Sequence, residues 1–357
     1  MGETLKPKAP AEAKPPSHAG AAPMAGTVAR AREAVGKHCP SLPLRIGTRA
    51  SPLALVQTRA FLARLTRFCP VLHGLEVFQE LAIRTTGDKS QASGVRLADV
   101  GGKGLFSKEL HEAMLDRRID MAVHSLKDLE TELPPGIVLA CVLPREDNRD
   151  VLILGPACDT SDAAGLPYPE LPIGAVIGSS SVRRQAQLLH ARPDLRVEVI
   201  RGNVHGRLDK VRRGDYAASL LAMAGLRRLG LEHEADIAID AEIMVPAACQ
   251  GIVGITARAE DTELRHLLAA LSDADADSAA QAERALLGAL DGSCNTPIGA
   301  HAVLVGGGRM RITGLVAQAD GSFLLRRSAE CHRDDAARVG AALGDELRRA
   351  SPRHVFG

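Results

Sequence analysis

Short apolar runs alternate along most of this chain with longer stretches in which apolar positions recur every three or four residues. Leu44-Arg-Ile-Gly-Thr reads as a first strand. Ser51 and Pro52 then read as an N-cap and a first helical position, because proline lacks the N–H that would be unpaired there anyway. That helix is expected to run to about Phe68, followed by strand 76–84, helix 105–117, strand 119–124 and strand 137–143. A second series follows: strand 150–154, strand 174–178, helix 181–191, strand 196–200, helix 203–213, strand 217–221 and helix 222–229. Such alternation predicts an α/β fold with mostly parallel sheets covered on both faces. Ligands of such sheets bind beyond the carboxyl ends of the strands, and the residues there are Thr48-Arg49, His124-Ser125, Gly178-Ser179 and Arg201-Gly202. The final third changes style. Helices at 261–271 and 275–290 precede Asp291-Gly-Ser-Cys294-Asn-Thr-Pro297, then strands near 300–305, 309–318 and 323–330 and a helix over 334–350, which predicts a small C-terminal α+β domain.

Composition narrows the function classes. The 357 residues are 45% apolar and suffice for two or three domains. There is no Trp, and only two Tyr and six Phe, too few for the stacking platforms of a single-strand nucleic-acid binder. A net charge of +1 argues against a polyanion-coating surface, so no nucleic-acid partner is expected. Seven widely spaced cysteines without a Cys-x-x-Cys suggest reduced thiols in a cytoplasmic compartment, with neither a disulfide framework nor a metal site. No apolar run reaches the roughly 18 residues that a membrane span needs. Residues 1–43, rich in Ala, Pro and Lys, are expected to form a disordered tail.

Charge is concentrated locally. Nine Lys and Arg but only three acids (Asp194, Glu198, Asp209) fall within 178–213. The segments Gly178-Ser-Ser-Ser181-Val-Arg183-Arg184-Gln and Arg201-Gly-Asn203-Val-His-Gly-Arg207 each follow a strand-like run and open a helix-like one. Free N–H groups at a helix start and forked guanidinium donors make an anion trap there, suited to several carboxylates or phosphates. Arg49, Arg183, Arg184, Arg201 and Arg207 all lie at or near strand–helix junctions that should converge. Asp128 reads either as a helix N-cap or Lys127 ion-pair partner, or as a carboxylate that faces the arginine loops and stabilises a developing cation. Cys294, among small polar residues, reads as a nucleophilic or modified thiol; Cys249 reads as structural. The segment 99–106 lacks the spacing of a phosphate loop, and the polar run 86–98 suggests a mobile flap. Phe106, Leu110 and Met114 read as a helix core face.

Eight segments in order give the chain a family resemblance over about residues 44–350. They are Arg45-Ile-Gly-Thr-Arg49-Ala-Ser51-Pro-Leu-Ala-Leu, Gly101-Gly-Lys-Gly-Leu-Phe106-Ser-Lys-Glu-Leu, Ala122-Val-His-Ser125-Leu-Lys127-Asp128, Arg145-Glu-Asp-Asn-Arg-Asp150, Gly178-Ser-Ser-Ser-Val-Arg183-Arg184-Gln, Arg201-Gly-Asn-Val, Ala224-Gly-Leu-Arg-Arg228-Leu-Gly and Gly292-Ser-Cys294-Asn-Thr-Pro-Ile-Gly299. Together they resemble the porphobilinogen deaminases (hydroxymethylbilane synthases).

The resemblance implies two periplasmic-binding-protein-like domains, 44–145 (with a return segment 246–270) and 146–245, and a third domain at 271–357. It implies a monomeric enzyme that condenses four porphobilinogen molecules head to tail, releasing ammonia each time. A dipyrromethane cofactor would be thioether-linked to Cys294, and Asp128 would be the catalytic carboxylate. Lys127, Ser181, Arg183, Arg184 and Arg207 would hold cofactor carboxylates; Arg49, Ser51, Arg201 and Arg228 would handle substrate. The chain departs from the usual pattern in four places: Glu130 for Pro, Ser179 for Thr, Cys249 for Gly and Ser293 for Gly. The rival reading is a non-catalytic two-domain binding protein for a polycarboxylate ligand, because fold alone does not fix function.

Overall fold

The computed structural model describes residues 42–72, 77–88, 104–156, 160–291 and 296–356. The expected tail, apart from Leu42 and Pro43, the expected flap from residue 89 onward, and Cys294 lie outside the described residues.

Two five-stranded sheets share one plan. The first holds β1 (Leu44–Arg49), β2 (Phe78–Ile83), β3 (Met121–Ser125), β4 (Ile137–Val142) and β10 (Val253–Arg258) in the order β2-β1-β3-β10-β4. The second holds β5 (Asp150–Leu154), β6 (Val176–Gly178), β7 (Arg196–Glu198), β8 (Ala218–Ala222) and β9 (Ile237–Ile239) in the order β7-β6-β8-β5-β9. In each sheet four strands run one way and the fourth position runs against them. The reversed strand is always one that the chain lays down while crossing over: β5 on the way out, β10 on the way back. The predicted mostly parallel sheets are therefore present, with one antiparallel insertion each. Three-residue β9 is too short to show a pattern and was not anticipated.

Four of the eight described helices start where a side chain satisfies a free backbone donor. The eight are α1 (Pro52–Phe68), α2 (Lys108–Leu115), α3 (Val182–Ala191), α4 (Val204–Arg212), α5 (Met223–Arg228), α6 (Thr262–Ala269), α7 (Ala274–Ala289) and α8 (Ala336–Ala350). Ser51 accepts from the Ala54 N–H at 3.3 Å, Asn203 from Gly206 at 2.9 Å and Asp273 from Ala276 at 2.9 Å. Helix α1 buries Ala54, Thr58, Phe61 and Leu65, one stripe at three- and four-residue spacing, against the first sheet.

The C-terminal sheet is an antiparallel meander of β11 (Ile298–Gly306), β12 (Arg309–Ala317) and β13 (Leu324–His332), backed by α7 and α8. Those helices approach so closely that a Cβ at Gly340 would lie 2.2 Å from the Ala282 carbonyl oxygen.

One buried carboxylate joins this layer to both crossovers. The Glu283 side chain on α7, fully buried, accepts from Arg145 Nη1 (2.6 Å) and Nη2 (3.2 Å), from the Cys249 N–H (2.5 Å) and from the Ala302 N–H (2.6 Å). Arg145 Nε also donates to the Gln250 carbonyl at 2.9 Å. Removing one partner of such a pair strands the other charge in low dielectric. Glu283→Ala is expected to destabilise the protein by about 3–5 kcal/mol, measured as a lower denaturant midpoint.

Candidate functional site

The carboxyl ends of the two sheets face each other across a cleft of about 190 Å³. One wall carries Arg49 from β1, Ser51 and Gln57 around the start of α1, Ser125 at the end of β3 and Lys127 just after it. The other carries Arg184 from α3, Asn203 and Arg207 from the start of α4, and Arg228 from α5. Gln250 and Gly251 of the returning crossover close the base. An adjoining hollow of about 80 Å³ is lined by Asp128 together with Arg49, Phe106, His124 and Lys127.

Asp128 ends a single helical turn and is one-third exposed. Its Oδ2 lies 3.9 Å from Arg49 Nη1. Arg49 is held from behind: Asp88 Oδ1 accepts from its Nε (3.2 Å) and Nη2 (2.6 Å), and its guanidinium sits 4.1 Å over the Phe106 ring. Burial alone would raise the Asp88 pKa, but the Arg49 bonds and those from Thr85 outweigh it and keep the carboxyl below its ordinary range. Lys127 turns to Gln250, donating to Oε1 at 3.2 Å. Its surface is accessible from within the cleft, yet both walls surround it. That withdrawal from bulk water, only partly offset by Asp128, pushes the ammonium down to about 8.

Asp150, the first residue of β5, organises the second wall and is fully buried. Its Oδ1 accepts from Arg184 Nε (3.1 Å), Arg184 Nη2 (2.8 Å) and Gln250 Nε2 (2.8 Å). Its Oδ2 lies 2.7 Å from Arg183 Nη1, which also donates to the Val245 carbonyl. Arg183 is therefore a buried residue behind the wall, whereas Arg184 reaches the cleft. Ser181 caps α3, its Oγ accepting from the Arg184 N–H at 3.4 Å, and does not line the cleft. Arg201 also stands off the cleft, its carbonyl accepting from Lys210 Nζ at 3.1 Å. Arg207 donates to the Gly202 carbonyl and Arg228 to the Gly251 carbonyl. Burial, then neighbouring Arg184 and Arg201, push Arg207 down to about 10; burial lowers Arg228 as well.

The sequence reading placed Ser125 at a strand end but missed Gln57, Asp88, Asp150 and Gln250. Gln57 and Ser125 exchange hydrogen bonds (Nε2 to Oγ 3.0 Å, Oγ to Oε1 3.1 Å). Gln57 left a signal, a polar residue on the apolar face of α1. Asp88, Asp150 and Gln250 act through partners far away in sequence, which no local pattern shows.

The cleft has one electrostatic character. Arg49, Lys127, Arg184, Arg207 and Arg228 line it, and among the described residues no acid does. Burial and then the neighbouring arginines push two of those cations down markedly. With its ammonium pushed down to about 8, Lys127 loses its charge as pH rises through that value. Binding of a small polycarboxylate to apo-protein, followed by calorimetry, is therefore expected to weaken as pH rises through that value. Lys127→Met should remove this pH dependence.

Known proteins share this arrangement of segments. Residues 44–266 match the family model for the porphobilinogen deaminase dipyromethane cofactor binding domain, and residues 278–349 match that for the porphobilinogen deaminase C-terminal domain. The porphobilinogen deaminase of Paracoccus denitrificans is 44% identical over 89% of this chain and 97% of its own. That of Sorangium cellulosum is 45% identical over 86% of this chain and 98% of its own. The chloroplastic porphobilinogen deaminase of Oryza sativa is 42% identical over 87% of this chain and 84% of its own. With matching models over most of its length and relatives covered almost end to end, the chain belongs to the porphobilinogen deaminase family.

Proposed function

We propose that this protein condenses four porphobilinogen molecules head to tail, releasing ammonia at each addition, to give hydroxymethylbilane for tetrapyrrole synthesis. We further propose that it acts as a cytoplasmic monomer. The observation that carries the reading is the cleft that, among the described residues, is lined by five cations and no acid, with one carboxylate, Asp128, at its edge. Porphobilinogen and its oligomers carry two carboxylates per ring, and forked guanidinium donors suit them. The donor set also fits dipyrromethane, whose ring carboxylates would lie against Lys127, Arg184 and Arg207. When bound, that group supplies the terminal pyrrole from which the chain is extended.

Arg183 and Ser181 support this wall from behind in our reading, Arg183 by holding Asp150 and Ser181 by starting α3. Arg49, Ser51 and Arg228 would steer the incoming substrate, and Arg201 would add positive potential near Arg207. Asp128 would face the positive charge that develops on the substrate as ammonia leaves, and would accept hydrogen bonds from pyrrole N–H groups. We assign the walls to domains 44–145 (with 246–270) and 146–245, and the cofactor-carrying thiol to domain 271–357.

Asp128→Asn keeps the shape but removes the charge. Its rate of porphobilinogen consumption is expected to fall on the order of 100- to 1000-fold with the fold intact. A near-normal rate would reject Asp128 as the stabilising group.

The attachment point in this proposal is Cys294. Cys249, the other thiol in question, is 1% exposed, and burial followed by the nearby Glu283 charge pushes it up to about 12, so it is no nucleophile. Its φ of 62° is a conformation natural to glycine. Intact-mass measurement should show a two-pyrrole adduct on wild type and on Cys249→Gly, and none on inactive Cys294→Ala. An adduct retained by Cys294→Ala would move the attachment elsewhere, and an unmodified wild type would favour simple binding.

A further inference from the structure

We infer that Glu130 is a positioning residue for Asp128, with Ser107 as its anchor. The kinetic part of this inference rests on the proposed condensation reaction; the structural part does not.

Among the described residues, no side-chain hydrogen bond within the protein fixes the Asp128 carboxylate, and its nearest ion-pair partner is at 3.9 Å. Its position therefore depends on where the backbone of 126–131 is held. Glu130, two residues on, supplies one side-chain anchor of that stretch, beside the buried Leu126 and Leu129 and the Lys127 bond to Gln250. Ser107 precedes α2 and is 1% exposed, yet it makes no capping bond. Its Oγ instead donates to Glu130 Oε2 at 2.7 Å, with the Gly104 carbonyl a weaker acceptor at 3.4 Å. A hydroxyl that would ordinarily accept from the helix start is thus turned round into a charge-assisted bond. The carboxylate also gains from the positive end of α2.

The fit around this carboxylate is tight. Oε1 lies where a side chain at position 104 would begin: a Cβ on Gly104 would come within 1.8 Å of it, and Gly104 has φ +79°. On the far side Arg284 of α7 donates to the carbonyls of Leu129 (3.4 Å), Glu130 (2.6 Å) and Thr131 (3.0 Å). Arg284 grips the backbone while Ser107 grips the side chain, and Lys127 and Asp128 emerge immediately before that grip. His111 of α2 lies nearby, 2% exposed and with neither ring nitrogen hydrogen-bonded. Burial holds its pKa below the ordinary value although Glu130 pulls the other way.

The test compares holo-protein of Glu130→Ala, Glu130→Gln, Ser107→Ala and the double alanine variant with wild type. Turnover of porphobilinogen and amide hydrogen exchange over residues 126–131 are the two readouts. Glu130→Ala is expected to lower kcat about tenfold with KM within about twofold, because the reacting geometry is loosened and binding is not. Ser107→Ala should give the same loss, and the double variant should be no worse than either single one. Glu130→Gln, which still accepts from Ser107, should recover most of the activity. Exchange over 126–131 should quicken in both single alanine variants. Wild-type kcat in Glu130→Ala, a multiplicative loss in the double variant, or a Gln variant as poor as Ala would each overturn the inference. If wild type does not consume porphobilinogen, the reaction reading falls. The exchange measurement then decides the positioning role alone, unchanged protection in Glu130→Ala and Ser107→Ala overturning it.

Discussion

The cleft depends on one carboxylate that never touches it. Asp150 is wholly buried, and burial alone would favour its neutral form. Arg183 and Arg184 outweigh that penalty and hold its pKa well below the usual carboxylate range. The attraction works in both directions. The two guanidiniums are tolerable behind and within the second wall because the carboxylate is there, and the carboxylate is tolerable because they are. Through Gln250, which donates to Asp150 and accepts from Lys127, the same charge is linked to the opposite wall. Buried networks of this kind hold their geometry only while every member is satisfied. Asp150 is thus a structural centre for a wall that presents Arg184 to the cleft and keeps Arg183 behind it.

Glu283 performs a corresponding task one layer away. It gathers Arg145 from the outgoing crossover, Cys249 from the returning one and Ala302 from the C-terminal sheet. The two carboxylates differ in consequence. Asp150 sets the direction of side chains that line the cleft, whereas Glu283 ties the connecting segments to the layer that carries the cofactor thiol in our reading. Neither is exposed to ligand.

Much of this was legible beforehand because it is local. Ser51 with Pro52, and Asn203 beside its glycines, mark helix starts through hydrogen bonds that span only three residues. The stripe on α1 and the apolar runs of β3, β5 and β8 announce themselves by periodicity. Convergence of the strand ends was also readable, since α/β sheets place their loops at one edge. What escaped was pairing at long range. Arg183 and Arg184 look alike in sequence and both pair with Asp150 on another strand, but Arg183 also donates to the Val245 carbonyl, and only Arg184 reaches the cleft. The antiparallel insertions escaped for a related reason: nothing within β10 says that it lies between β3 and β4 rather than at an edge.

That insertion has a consequence for the order in which the molecule forms. The second sheet is built from one continuous stretch, Asp150–Ile239. The first is not: β4 has only β10 as its neighbour, and β10 begins at Val253, after the whole second sheet has been made. On the ribosome, the strands synthesised first must wait with an open edge at β3 and an unpaired β4 until the chain returns. Non-local pairing of this kind is slow and leaves strand edges exposed. The sheet that begins the sequence is therefore the later of the two to be completed, and the interval before β10 arrives is when the nascent chain is most open to mispairing.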